Sequence, residues 1–257
     1  MTYMTQERPQ VVIPLLAHRG YAARYPENTR PALAAAVEAG ATMLEFDIQL
    51  TADRVPFLLH DETFARTGGD AACILDVDAE RAAGIDVSEP GRFGNAYRGT
   101  CAPRLADIVA DLLEWPGVTA FVELKRQSIS RFGAAAVLDA VLPLLAPVFD
   151  RCVIISFEES VIRLARERTG CRIGWALRGW DDEHRAKALA IEPDYLFCNV
   201  MRLPPIGASW WSGRWTWVIY EIVDSEIARD LVARGAGIIE TMAYVELAHQ
   251  LAQGEGG

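Results

Sequence analysis

Short apolar, β-rich runs alternate with alanine- and leucine-rich amphipathic stretches along nearly the whole chain, and eight such pairs can be counted. Parallel strands joined through helices need both faces of their sheet covered, and eight strand–helix repeats are the number that closes such a sheet on itself. The strand candidates are Val11 to Ala17, Met43 to Gln49, Thr119 to Leu124, Cys152 to Phe157, Arg172 to Leu177, Tyr195 to Asn199, Trp217 to Glu221 and Gly237 to Glu240. Helix candidates between them include Arg30 to Ala39, Leu105 to Leu113, Arg131 to Leu145, Glu159 to Arg168, Asp182 to Leu189, Ser225 to Ala233 and Val245 to Ala252. The expected fold is α/β, a (βα)8 TIM barrel. A length of 257 residues suits one such domain spanning 1–257.

Two stretches break the rhythm. Val55 to Leu59 reads as a further short β element ending at His60, and Glu62 to Pro103 then follows with many Gly, Asp and Arg residues and no clear period. A segment this long inside a compact domain is expected to be a functional lid or a small insertion. The second break, Met201 to Arg214, carries Pro204, Pro205, Gly207, Trp210 and Trp211 in place of a regular helix.

The hydrophobic share of 51% and charged share of 23% are ordinary for a folded globular chain. A formal charge of −10 argues against a nucleic-acid partner, which needs a broad basic face, so any anionic ligand has to be held by a local positive site. The first ten residues lack the pattern of a secretory signal, no apolar run suffices to span a bilayer, and no stable membrane insertion is expected. Five scattered cysteines without a C-x-x-C spacing fit free thiols in a reducing, cytoplasmic setting. Nothing in the sequence sets an oligomeric state.

The chemistry-bearing residues concentrate between Leu16 and Asp61: His18-Arg19-Gly20, Pro26-Glu27-Asn28-Thr29, Glu45-Phe46-Asp47 and His60-Asp61. Glu45 and Asp47 are two apart on a strand, so they share one face while Leu44, Phe46 and Ile48 take the other. Glu123 and Lys125 pair in the same way, and His18 ends the preceding strand. In a barrel these ends surround one mouth, where three converging carboxylates repel unless a cation lies among them. All-oxygen ligands select a hard divalent metal such as Mg²⁺ or Ca²⁺. An internal ion-pair network is the structural alternative for each charged pair alone, but four inward charges at adjacent strand ends carry too large a desolvation cost for packing.

His18 and His60 follow apolar strands, and with an unperturbed pKa of about 6.5 two imidazoles can serve as base and acid near neutral pH. The order read here is His60 as base and His18 as acid. Arg19 offers a directed fork and Lys125 a point charge for a phosphate. Asn28 reads as the N-cap of the first helix, with Pro31 in its first turn, and Glu27 as cap-region support that either reaches the site or orients Arg19.

In order and spacing these motifs resemble the glycerophosphodiester phosphodiesterase family, within the phosphatidylinositol-phospholipase-like barrels. The resemblance is dense from Leu15 to Thr67, where it includes Glu45-Phe46-Asp47-Ile48-Gln49-Leu50-Thr51-Ala52-Asp53, and thinner at Pro103-Arg104-Leu105, Glu123-Leu124-Lys125 and Ser156-Phe157. It implies a phosphoric diester hydrolase that takes a small glycerophosphodiester to glycerol 3-phosphate and an alcohol. By the resemblance His18 and His60 are the acid–base pair, Glu45, Asp47 and Glu123 hold the metal, Arg19 and Lys125 contact the phosphate, and Glu62 to Pro103 is the family's insertion.

The last third departs from the family pattern. Tyr220-Glu221-Ile222-Val223 stands where the family commonly has Trp-Thr-Val-Asn, and Glu240-Thr241 where its eighth strand usually ends in Thr-Asp. Tyr220 and Glu221 are therefore candidates for the pocket of the leaving alcohol. Trp210, Trp211, Trp215 and Trp217 are candidates for a cation-binding wall or, by default, for packing. Two alternative functions stay open: a phospholipase D-like or cyclising phosphodiesterase, and a non-catalytic ligand-binding module on the same scaffold.

Overall fold

The computed structural model describes residues 13–253. Nine strands form: β1 (Leu15–His18), β2 (Met43–Leu50), β3 (Pro56–Leu58), β4 (Thr119–Leu124), β5 (Cys152–Ser156), β6 (Arg172–Ala176), β7 (Tyr195–Asn199), β8 (Thr216–Tyr220) and β9 (Ile238–Thr241). The order β1-β9-β8-β7-β6-β5-β4-β2, closed by pairing of β1 with β2, is an eight-stranded parallel barrel with helices between strands. β3 stands outside this ring, antiparallel to β2. Of the first expected strand, Val11 and Val12 lie outside the described residues.

The period of two along each strand divides the apolar residues between two compartments. Leu16, Phe121, Val153, Ile155, Phe197, Val218 and Ile238 fill the barrel interior, with Phe121 edge-on to Tyr195 at 5.0 Å between ring centroids. Leu44, Phe46, Ile48, Val122, Leu124 and Ile154 join the larger cluster between strands and helices. Burial of each such side chain contributes on the order of 2 kcal/mol. The interior has no room to spare at Gly174, where an added Cβ would lie 2.4 Å from Ile155 Cγ2 and 2.7 Å from the Phe197 ring.

One helix differs from the sequence expectation. The helix expected over Arg131 to Leu145 is two, Arg126–Phe132 and Ala134–Leu145, broken at Gly133, whose φ of 86° suits glycine. The first starts directly after Lys125, and its Ser128 ties to Leu50 N (2.9 Å) and Gln49 Oε1 (2.6 Å), which fastens it to the end of β2. Between β7 and β8 the chain makes only the 3₁₀ turn Val200–Arg202 and then the tryptophan loop. Trp217 points outward from β8 and stacks on Trp180 at 5.0 Å, with Trp211 4.5 Å from Trp180, Trp210 5.5 Å from Trp217 and the Arg234 guanidinium over Trp210. These rings cover the barrel wall where a helix is missing.

The Glu62 to Pro103 segment holds the short helices Ala65–Gly68, Ala79–Ala83 and Pro90–Phe93 and its own apolar cluster around Phe57, Phe64, Ile74, Leu75, Ile85 and Val87. It is fastened to the loop after β1. Glu89 Oε1 accepts from Glu27 N (2.7 Å), Arg92 donates to Ala22 O (2.6 Å), and Tyr97 donates to Arg24 O (2.7 Å). Among the described residues no single helix is long and apolar enough to cross a membrane, and all five cysteines are free.

Candidate active site

The register of the barrel sets the charged residues side by side: His18 of β1 lies opposite Glu45 of β2, and Asp47 opposite Glu123 of β4. After His18 the chain turns sharply through Arg19 (φ 55°) and Gly20 (φ 79°). Gly20 is required twice over, because a Cβ there would also meet the Ala32 backbone at 2.5 Å. This turn aims Arg19 inward. Its N–H donates to Glu45 Oε2 (3.1 Å), Nη1 donates to Glu27 Oε1 (2.8 Å), and Nε contacts Asp47 Oδ2 at 3.1 Å without hydrogen-bond alignment.

Asp47 is the most enclosed anion. Lys125 Nζ donates to its Oδ1 (3.1 Å) and Asn28 Nδ2 to its Oδ2 (2.8 Å), while Asn28 Oδ1 accepts from the Asp47 N–H (3.0 Å). Asn28 therefore does not cap the first helix as expected; Thr29 does, and Asn28, at φ 55°, spends its amide on β2. Asparagine tolerates that left-handed backbone. Burial opposes the charge on Asp47, but Lys125 and Arg19 outweigh it and hold the carboxyl below its ordinary range.

The other carboxyls are pushed the opposite way. Glu45, 1% exposed, is raised by burial and by Asp47 and Glu240. Burial also raises Glu123, against the pull of Lys125, which donates to it at 2.8 Å. Glu240, 3% exposed, is raised by burial and by Glu123. Three buried carboxyls, Glu45, Asp47 and Glu240, and the partly buried Glu123 thus face two cations, Arg19 and Lys125, and Glu45 Oε1 is buried with no partner. Donor atoms of Glu45, Asp47 and Glu123 lie within 4.8 Å of one another, as do those of His18, Glu45 and Glu240. A hard-oxygen donor set whose carboxyls burial and mutual repulsion hold back from ionising fits one divalent ion.

His18 is buried, with Nε2 3.8 Å from Glu45 Oε2 and Nδ1 without a partner. Burial and the nearby Arg19 hold its imidazole well below the usual value. His60 is one-third exposed and its Nδ1 lies 2.6 Å from Asp61 Oδ1. Arg66, from the first helix of the insertion, donates Nε to Asp61 Oδ2 (2.6 Å) and its two terminal nitrogens to Glu27 (2.8 and 2.7 Å).

The structure therefore brings together His18, Arg19, Glu45, Asp47, Glu123 and Lys125, and His60 follows β3, which pairs with the Asp47 strand β2. Both oxygens of Glu27 accept hydrogen bonds from arginines, Arg19 and Arg66. Tyr220 ends β8 with its ring 6.5 Å from that of His18. Glu221 is exposed at the rim, where Asn199 donates to it at 2.6 Å. Glu240 and Arg66 were absent from the sequence-based set. The signal for Glu240 was its parity with the inward Ile238; Arg66 carried none that is local.

A model of the glycerophosphoryl diester phosphodiesterase family matches residues 18–161. Mouse glycerophosphodiester phosphodiesterase 1 is 29% identical over 179 residues, 69% of this chain and 53% of that protein, and its human counterpart is 30% identical over 160 residues, 62% and 47%. The chain thus spans about half the length of these curated relatives. Among solved structures, an Oleispira antarctica phosphodiesterase in complex with the product sn-glycerol-3-phosphate superposes with a TM-score of 0.80 at 16% identity, covering 93% of this chain and 97% of that one. The glycerophosphodiester phosphodiesterase of Agrobacterium tumefaciens gives 0.71 at 21%, covering 93% and all of that chain. The family match covers more than half of the 257 residues and takes in every strand end that carries His18, Glu45, Asp47 and Glu123, so the chain belongs to the glycerophosphoryl diester phosphodiesterase family.

Proposed function

We propose that this protein hydrolyses small glycerophosphodiesters to glycerol 3-phosphate and an alcohol, using a divalent cation and two histidines. The observation that carries this reading is His18 beside a carboxylate cluster in which Glu45 Oε1 is buried without a partner, with His60 following β3 alongside β2. The family match and the product-bound relative support the substrate class.

Glu45, Asp47 and Glu123 are the residues that would hold the ion, which when bound supplies charge for the phosphodiester oxygens. Arg19 and Lys125 add fixed positive charge beside it, each already positioned by Asp47. The enclosed His18, its imidazole held well below the usual value, has the form of a base. Asp61 holds the Nδ1–H of His60, which leaves Nε2 to pass a proton to the leaving alcohol and lets the carboxylate steady the ring. This order reverses the one read from the sequence. Tyr220 and Glu221 line the alcohol side, where a rim carboxylate beside an aromatic ring favours a cationic head group.

The test is a panel of glycerophosphodiesters assayed with and without Mg²⁺ and Ca²⁺ by release of glycerol 3-phosphate and free alcohol, with phosphorus NMR to detect a cyclic product. His18→Ala and His60→Ala are each expected to lower kcat by roughly 10²-fold or more with a modest change in KM. Near-normal turnover in both variants would show that the pair does not carry the proton transfers. A cyclic phosphate as the end product would assign the chain to the cyclising class instead.

A further inference from the structure

The two oxygens of Asp47 are already committed, Oδ1 to Lys125 and Oδ2 to Asn28 and Arg19, and its charge is matched by those two cations. Glu123 Oε1 is likewise taken by Lys125. The open acceptors of the cluster are on its other side. Glu45 Oε1 is fully enclosed without a partner, and among the described residues no side chain donates to the Glu240 carboxylate, which is itself 97% buried. Glu240 lies opposite Leu16 in the β1–β9 pairing, two residues before His18, and its donor oxygen comes within 4.8 Å of both Glu45 and His18. A buried carboxylate set against Glu45, with no salt bridge and no side-chain hydrogen bond among the described residues, has no packing reason to be there.

We propose that Glu240 is a ligand of the divalent cation, joining Glu45 on the His18 side of the cluster, so that β9 as well as β2 reaches the ion. The inference rests on the cation reading above and deepens it. It makes Glu240 part of the binding machinery at a position where the chain departs from the family's Thr-Asp. Asp47 is already tied to Lys125, Asn28 and Arg19, whereas Glu45 Oε1 has no partner and lies on the side of the cluster that Glu240 reaches.

The experiment is calorimetric titration of the full chain with CaCl₂ and with MgCl₂, together with thermal melts in the presence and absence of each ion. Four proteins are compared: wild type, Glu240→Gln, Glu240→Thr and Glu45→Gln. Both Glu240 variants are expected to weaken binding of the preferred ion at least tenfold. They should also shrink the rise in melting temperature that the ion produces. If both bind the ion within twofold of wild type while Glu45→Gln binds weakly, Glu240 is not a ligand and the cation reading stands without it. If wild type binds neither ion at millimolar concentration, the cation reading fails and this inference with it. Two substitutions of different shape at position 240 guard against a packing artefact in either.

Discussion

Arg66→Met tests whether the insertion reaches into the chemistry. The substitution keeps most of the apolar stem and removes the guanidinium fork, and with it three charge-assisted hydrogen bonds, two to Glu27 and one to Asp61. Such bonds are worth about 1.5–3 kcal/mol each when enclosed. The Arg66 side chain, however, is 45% exposed, so water takes over part of each contact. Glu27, 3% exposed, keeps Arg19 as a partner and is not left as an isolated charge. The expected net loss is about 2 kcal/mol of stability, or about 4–8 °C in melting temperature for a chain of this size. The catalytic effect has a separate origin. With Arg66 gone Asp61 is free to turn, His60 loses its fixed ring, and kcat should fall about tenfold, about 1.4 kcal/mol of barrier, with KM within twofold. Arg66→Lys, which keeps the charge without the fork, should recover part of the stability and little of the kcat. Melting curves and steady-state kinetics on glycerophosphocholine measure both. A variant that melts lower yet turns over at the wild-type rate would refute the link from the insertion through Asp61 to His60.

Three further outcomes follow from the same coordinates. Burial opposes ionisation of Glu27, but its Arg66 bonds and the charges of Arg19 and Arg66 win and hold it below its ordinary value of 4.5. Its stabilisation is therefore present above that pH and lost below it, so the stability gap between wild type and Glu27→Gln should narrow as urea melts are taken from pH 7 to below 4.5. Gly174→Ala places a methyl into Ile155 and Phe197 and should cost about 1–3 kcal/mol by chemical denaturation; an unchanged midpoint would mean that the barrel interior is looser than described. Glu221→Gln should reduce kcat/KM on glycerophosphocholine roughly fivefold, the effect of about 1 kcal/mol across a wet rim, and leave glycerophosphoglycerol unaffected. Equal effects on both would make Glu221 structural.

What the sequence revealed and what it hid divides by range. Met43–Leu50 announces its own faces, because alternation is a local property, and so Glu45 and Asp47 were legible as inward groups and Phe46 as an outward one. Glu240 carries the same parity, but a carboxylate at the end of a four-residue apolar strand says nothing of its neighbours until β9 is placed against β1. The Glu27–Arg66 pair joins residues 39 apart across a segment without period, and no pattern within either end specifies the other. Asn28 was misread by one position because Thr29 next to it is an equally good cap; only the close approach of β2 decides which of them turns inward. The split of Arg126–Phe132 from Ala134–Leu145 was missed because the first helix is polar on most sides and Gly133 was read through.

The tryptophan wall beside β7 and β8 has an optical consequence. Trp180, Trp210, Trp211, Trp215 and Trp217 form a chain of rings with neighbouring centroids no more than 6.2 Å apart. Indoles this close couple their excitations, so the folded protein carries an exciton circular-dichroism signal that reports on this sector of the barrel, apart from the uncoupled Trp115 and Trp175. Since the cluster sits on the outer wall and the carboxylates on the inner face, that signal reads opening of the β7–β8 seam separately from events at the mouth. The chain is thus built with two independent gauges, one spectroscopic at the seam and one chemical at the mouth, and the order in which they change on heating tells which side of the barrel gives way first.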